Sequence, residues 1–414
     1  MSENKKSASR LIFLCWLAYA TSYIGKLSYS ANINRIGDAF DVSYASAGMV
    51  STLFFFVYGA GQIVNGFLCK KYNIKLVIAA SLSICALMNL LVALTDNFDI
   101  IKYLWLINGA AMSFLWTSLI SLLSETLDSS DIPRATVAMG TTVAVGTFAV
   151  YGISSAVAAS LSYRAVFIIA AALIGIVCAV WVVCYDQFTK PLIAGRAQIS
   201  CTSGNVDVKR AGSLSHLMPF LALIAIFAVS DNLIKDGLTS WTPDILSSIY
   251  DTPPWLSILL TLLLPTLGIL GSLVAVKLQG AVANCVLSCT LLFGLSSLLV
   301  GLVIAFISTS YIVLTVSCFA IVSCLMAGIN NIITSMIPLS MSDRIPSGKL
   351  AGILNGFCYL GSTVSSYGLG AIADECGWDS VFFALLFTSC LCTVIGAGYV
   401  LIKKLSGAKI GAKP

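Results

Sequence analysis

Twelve times along its 414 residues the chain runs for about twenty residues with almost no charge. At ~1.5 Å of rise per residue, such a run as a helix matches the ~30 Å hydrocarbon core of a bilayer. The runs cover roughly 11–33, 45–69, 75–94, 99–124, 135–160, 164–186, 214–245, 254–277, 281–306, 309–338, 350–372 and 379–402. Backbone N–H and C=O groups inside lipid must be satisfied within the spanning element, which leaves helices or closed barrels. Runs this long and this uniformly apolar read as helices. Charged residues make up 10% of the chain, against about 25% in soluble domains. The expected fold class is therefore an all-α integral membrane protein with twelve transmembrane helices, and its first partner is the lipid bilayer.

The longest polar interruption, between the sixth and seventh runs, holds Lys190, Pro191, Arg196, Lys209 and Arg210. It divides the chain into two sets of six: an N-terminal bundle over 1–186, a cytoplasmic linker over 187–213 and a C-terminal bundle over 214–414. An even number of spans puts both termini on one side. Eighteen of the 23 lysines and arginines fall on that side, in the tails, the linker and loops around Lys70, Lys71, Lys75, Arg134, Lys277, Arg344 and Lys349. Three, Arg35, Lys102 and Arg164, fall on the other. Positive charge is retained in the cytoplasm, so both termini are expected there, in a plasma (inner) membrane. The first run is interrupted by Lys26 and lacks a small-residue cleavage site, so it reads as a retained span.

Several functions are excluded on the same residues. The 14 cysteines are scattered, mostly inside apolar runs, and form no CxxC pair; they read as packing residues. One histidine, His216, cannot build a metal site or a catalytic relay, so no metal, no cofactor and no enzymatic chemistry are expected. No glycine-rich nucleotide loop is present. The net charge of +5 lies in loops that flank membrane spans, so no nucleic-acid partner is expected.

Two basic residues remain, and both are intramembrane. Lys26 lies sixteen residues past Arg10, about 24 Å along a helix. Tyr19, Ser22, Tyr23, Tyr29 and Ser30 stand three, four or seven residues from it and share its face. A lysine at mid-membrane costs ~3 kcal/mol on insertion scales and normally faces a bundle interior or a wet cavity. Lys235 repeats the feature in the second half, 209 residues on, with Asp231 one turn before it. One cation from each half suggests a duplicated architecture with both lysines lining one central cavity. Asp231 reads either as an i, i+4 partner that lowers the cost of inserting Lys235 or as a carrier of a coupling proton. Asp236 is assigned to helix packing or a broken-helix gate. Asn355 and Tyr359 share a face of the eleventh run, and Asn330 and Asn331 lie in the tenth; each is a candidate for the cavity or for interhelical hydrogen bonding. Glu125 and Arg134 flank a cytoplasmic loop and are candidates for an inner gate or a surface charge cluster. Gly140, Gly146 and Gly152 recur in the fifth run and permit close helix approach.

Between the second and third runs, Gly66-Phe-Leu-Cys-Lys-Lys-Tyr-Asn-Ile-Lys75 resembles the short cytoplasmic loop signature of the major facilitator superfamily, with Lys70 in place of an aspartate and Asn73 in place of a glycine. Three further stretches resemble the organophosphate:phosphate antiporter family within it. These are Ala18-Tyr-Ala-Thr-Ser-Tyr-Ile-Gly-Lys26, Lys235-Asp-Gly-Leu-Thr-Ser-Trp-Thr-Pro243, and Ala351-Gly-Ile-Leu-Asn-Gly-Phe-Cys-Tyr-Leu-Gly361 followed by Gly377-Trp378-Asp379. The resemblance implies a major facilitator fold of two six-helix bundles that works as a monomer. It also implies alternating-access transport of a small organic anion, a sugar phosphate or glycerol phosphate, in exchange for phosphate. It departs from the family where arginines give way to Lys26 and Lys235, where Val143 stands at the place of a histidine, and where Asp231 is added. Lysine is a compact point charge without the bidentate fork that suits phosphate. A monoanionic carboxylate or sugar acid carried with a proton is therefore an alternative, and a non-transporting sugar-phosphate receptor on the same fold is another. Across these readings the binding candidates are Lys26, Lys235, Tyr23, Tyr19, Asp231, Asn355 and Tyr359, and the coupling or gating candidates are Asp231, Glu125 and Arg134.

Overall fold

The long apolar runs become helices because no other open structure satisfies their backbone in lipid. The computed structural model describes residues 3–68, 72–128, 130–158, 160–197, 217–306, 311–341, 345 and 347–405. Among them there is no strand, and the helices are α1 (Glu3–Leu27), α2 (Ile33–Phe40), α3 (Tyr44–Leu68), α4 (Ile74–Leu94), α5 (Phe98–Met112), α6 (Leu115–Thr126), α7 (Ile132–Ala158) and α8 (Arg164–Ala197). They continue as α9 (Met218–Tyr250), α10 (Pro254–Thr261), α11 (Leu263–Val282), α12 (Cys285–Phe306), α13 (Ile312–Asn331), α14 (Ile337–Ser340) and α15 (Ser347–Leu405).

Eleven of the described helical stretches are long and apolar enough to cross a membrane. The last of them holds two spans: α15 breaks at Gly377, whose φ of 78° and ψ of 170° suit glycine alone. Its segments 347–376 and 378–405 are the eleventh and twelfth expected spans, joined at the turn read from Gly377-Trp378. Three other stretches, each long and apolar enough to count as one span, contain an interruption. A 3-10 turn (Ser30–Asn32) separates α1 from α2, a turn at Ser113 and Phe114 separates α5 from α6, and Leu262 separates α10 from α11.

The chain packs as two compact units. The first comprises Met1–Tyr29 and Ala60–Val208; in it α1 packs on α7 and α8, and α4 on α8 and α5. Gly146 of α7 makes the α1 contact possible, since a Cβ there would lie 2.4 Å from the Ala20 carbonyl oxygen and 2.5 Å from Cβ of Tyr23. Gly152, expected to act in the same way, has nothing within 4 Å of its Cβ position. The side chain position of Gly140 lies outside the described residues. The second unit comprises Ser30–Gly59 and Lys209–Pro414; in it α9 packs on α15, α13 and α10, α11 on α13, and α12 on α13 and α15. Helix α3 contributes its residues 44–59 to the second unit and 60–68 to the first.

One boundary differs from expectation. Helix α8 runs on to Ala197, eleven residues beyond the expected end of the sixth span. Asp186, the last residue of the expected N-terminal bundle, sits on this helix and forms a 2.6 Å salt bridge with Lys75. Residues 187–197 are therefore helical. The remainder of the expected linker, with Lys209, Arg210 and the nearby His216, lies outside the described residues, as do Lys70, Lys71 and Arg344.

Candidate functional site

In the first unit Tyr19, Tyr23 and Lys26 lie along one face of α1, which ends at Leu27, short of the expected Tyr29 and Ser30. Lys26, in the last turn of the helix, is 5% exposed, and its Nζ lies 5.0 Å from the centroid of the Tyr23 ring. Tyr23 meets Tyr19 edge-on at 5.4 Å, and Tyr19 meets Trp116 of α6 at 4.7 Å. A cation against an aromatic face is worth about 2 kcal/mol when desolvated. The column of Trp116, Tyr19, Tyr23 and Lys26 thus carries both charge and flat apolar surface.

Beside Lys26, the Gly25 carbonyl accepts two hydrogen bonds, from Asn89 Nδ2 of α4 at 3.3 Å and Asn108 Nδ2 of α5 at 3.2 Å. Both asparagines are fully buried, and their Oδ1 atoms have no hydrogen-bond partner among the described residues. A Cβ at Gly25 would lie 2.5 Å from Ile174 Cδ1 and 2.7 Å from Cys85 Sγ, so only glycine lets α4 approach here. Trp116, Asn89 and Asn108 were not singled out from sequence. The two asparagines carried a signal, each being an isolated amide within an apolar run.

The second unit builds a different cluster around Lys235 of α9. Lys235 Nζ donates to Asn232 Oδ1 at 3.0 Å and lies 3.7 Å from Asp236 Oδ1. Asp236 Oδ2 accepts from Ser362 Oγ of α15 at 2.5 Å and from Asn232 Nδ2 at 3.3 Å. Asn330 of α13 ties the cluster together, donating to Asp231 Oδ2 at 3.0 Å and to Asn232 Oδ1 at 3.1 Å. Asp231 is wholly buried, and its Oδ1 has no hydrogen-bond partner among the described residues.

The carboxylate within ion-pair distance of Lys235 is Asp236, while Asp231, the expected i, i+4 partner, still acts on the ammonium electrostatically. Asn330 draws Asp231 toward α13, while Asn232 and Asp236 hold the ammonium. Asp236, read as a packing or gate residue, is the counter-ion. Asn330 and Asn331 also part company, for Asn331 donates to Ser272 of α11 at 3.2 Å as an interhelical bond. Directly after them the helix widens into a π-turn, Ile332–Met336, a feature frequent at functional sites. Tyr359 packs edge-on against Tyr58 of α3 at 4.7 Å and lies 6.2 Å from Phe55; Asn355, one turn earlier, is half-buried.

The two gate candidates have separate surroundings. Glu125 is exposed and accepts from Ser121 Oγ at 2.9 Å, while Arg134 donates to Ser9 of α1 at 3.0 Å. No group of three or more metal-ligating side chains occurs among the described residues.

Lys26 is buried against an aromatic ring in the first unit, and Lys235 is half-buried among amides and carboxylates in the second. The sequence profile of the Major Facilitator Superfamily matches residues 15–366. The chain belongs to the Major Facilitator Superfamily. Its similarity to curated proteins is partial: the membrane sensor protein UhpC of Escherichia coli (strain K12) is 24% identical over 99 residues, 24% of this chain and 23% of that protein. UhpC of Salmonella typhimurium (strain LT2) is 23% identical over 104 residues, 25% of this chain and 24% of that protein. The match thus spans about a quarter of the length of these relatives. Among solved structures, a bacterial homologue of the human lysosomal transporter Spinster, in an inward-facing and occupied conformation, superposes with a TM-score of 0.74 at 13% identity over 98% of each chain. The nucleoside transporter NupG superposes with a TM-score of 0.67 at 16% identity, covering 96% of this chain and 99% of NupG. The fold is the major facilitator fold, and the chain is a multi-pass membrane protein of that superfamily.

Proposed function

We propose that this transporter carries a small organic anion by alternating access, using Lys26 and Lys235 as its cations, and that it takes up a proton with its substrate. The observation that carries the reading is the composition of the Lys235 cluster. One ammonium shares a mostly buried network with two carboxylates, Asp231 and Asp236. With all three ionised the cluster is net negative, and an anion arriving at Lys235 competes with Asp236. One proton on Asp231 returns the cluster to neutrality and removes that opposition. Proton and anion binding then favour one another, which is the linkage that symport needs.

The same observation weighs against organophosphate exchange for phosphate. A phosphate monoester brings about −1.5 to −2 charge, and Lys235 is already committed to Asp236. A carboxylate with a single charge fits better, and lysine suits it as a point charge. Tyr19, Tyr23 and Trp116 offer aromatic surface to the substrate's carbon skeleton, with Asn355 and Tyr359 as further contacts and Glu125 and Arg134 as gate residues. The topology proposed with this function has both termini in the cytoplasm of a plasma membrane, halves 1–186 and 214–414 joined by 187–213, and a monomer as the working unit. A reporter fused to the carboxyl end should be active only as a cytoplasmic fusion.

The test begins with a thermal-shift screen of carboxylated and phosphorylated sugars, because a ligand at about 100 times its Kd adds ~2.7 kcal/mol of stability. Radiolabelled hits are then loaded into proteoliposomes. The proposal expects accumulation driven by an inward proton gradient; phosphate-dependent exchange without a gradient response contradicts it. One observation supports a second reading, a receptor that binds without transport: the matched relatives are named membrane sensors. Counterflow separates the two, since a receptor binds label without exchanging it.

A further inference from the structure

Helix α9 carries a third carboxylate that the anion cluster does not use. Asp244 follows Pro243, six residues before the helix ends at Tyr250. It is 1% exposed, and neither carboxylate oxygen has a hydrogen-bond partner among the described residues. An ionised carboxylate removed from water without donor or cation is costly enough that such groups are neutralised instead.

The charged groups brought to this end of α9 do not relieve it. Asp38 of α2 acts on Asp244 with the same sign. Arg35 of α2 donates to Asn32 Oδ1 at 3.1 Å. Asp374 of α15 is engaged at the start of α3, where its two oxygens accept from the Tyr44 and Ala45 amides at 2.9 and 2.6 Å. The Ser30–Asn32 turn, α10 and α13 carry no charged side chain. Tyr44 is hydrogen-bonded to Ser248 at 3.2 Å.

A built seal lies over the same end. Trp241, fully buried, packs 6.0 Å from Tyr44 and 5.9 Å from Trp378, and those two rings lie 5.2 Å apart. The Ser30–Asn32 turn and α2 pack on α9, and Asp38 of α2 is an electrostatic neighbour of Asp244, so these elements are the ones whose separation from α9 would open this end to water.

We infer that Asp244 is a proton-binding site that holds its proton while this end of α9 is sealed and releases it when the seal opens. Opening and deprotonation are then one linked step, and a high proton concentration favours the sealed arrangement. This depends on membership in a transporter superfamily and is independent of the substrate and of the role given to Asp231.

The experiment uses the full purified chain in detergent, as wild type, Asp244→Asn and Asp231→Asn. Infrared spectroscopy should show the carbonyl stretch of a protonated carboxyl in the wild type at about pH 7, with a component that is lost in Asp244→Asn and retained in Asp231→Asn. Because the folded state binds a proton that the unfolded state does not, stability should fall as pH rises from about 6 to about 9. The wild-type Tm should drop by several degrees across this range, and the drop should be smaller in Asp244→Asn. If that variant does not fold, Asp38→Asn decides: loss of a like charge moves the fall in Tm to lower pH if Asp244 is the titrating group and leaves it in place otherwise. A Tm raised by sodium in the wild type but not in Asp244→Asn, with no Asp244 carbonyl band, overturns the proton in favour of a metal cation.

Discussion

Lys26 and Lys235 look alike in sequence, each a lone lysine within an apolar run, yet the fold gives them unlike surroundings. Lys26 lies against the Tyr23 ring, with a Gly25 carbonyl beside it that is already the target of two buried amides. Lys235 sits in a network of Asp236, Asn232, Ser362, Asn330 and Asp231. The first environment offers a cation on an aromatic wall. The second offers a cation already bargained over by carboxylates, whose charge one proton can reset. Under the proposed function, the difference assigns coupling to the second cluster.

The largest expected effect tests the shared part. Lys26→Ala and Lys235→Ala should each cut uptake at least about tenfold, the loss of a charge-assisted bond of ~1.5–3 kcal/mol, while the protein remains folded in the membrane. Uptake near normal in both variants would break the comparison at its root. Next in size is the split between the two acids. Asp236→Asn removes the counter-ion of Lys235 and should raise affinity for the anion, most for a dianion, as equilibrium binding by calorimetry would show. Asn330→Ala tests the tie between Asp231 and Asn232; Asn232 Oδ1 keeps Lys235 as donor, but the buried Asp231 Oδ2 loses its own, which should cost ~1–3 kcal/mol, read as a lower Tm.

Smaller effects sharpen the account of Lys26. Gly146→Ala forces a methyl group against Ala20 and Tyr23 and should cost ~1–3 kcal/mol by overpacking. Gly152→Ala, with open space around it, should be close to neutral in the same melting assay. Tyr23→Leu should weaken anion binding by ~0.5–2 kcal/mol through loss of the ring beneath the ammonium, while Tyr23→Phe retains most of it.

Much of this organisation was legible in the residues because it depends on periodicity. Apolar runs of membrane length fixed the spans, the spacing of Tyr19, Tyr23 and Lys26 fixed one face of α1, and Gly377 marked the break between the last two spans. The counter-ion of Lys235 was not legible. An i, i+4 acid is the default partner on an isolated helix, but a long lysine side chain can reach i+1, and Asn330 comes from a helix 95 residues away. For the same reason spacing does not separate Asn330, which joins the charged cluster, from Asn331, which bonds to Ser272. The reach of α8 past Asp186 was hidden by its polar composition, since a helix that leaves the membrane loses the apolar signal while keeping its hydrogen bonds.

Asp231 carries the central claim, and proteoliposome transport of Asp231→Asn against the wild type tests it most directly. With a radiolabelled anion and an inward proton gradient, the wild type should accumulate label above equilibrium. The variant, with its carboxylate held permanently neutral, should still exchange label across the membrane yet fail to concentrate it. Gradient-driven accumulation that survives in Asp231→Asn would contradict the account and leave Asp231 a structural partner of Asn330.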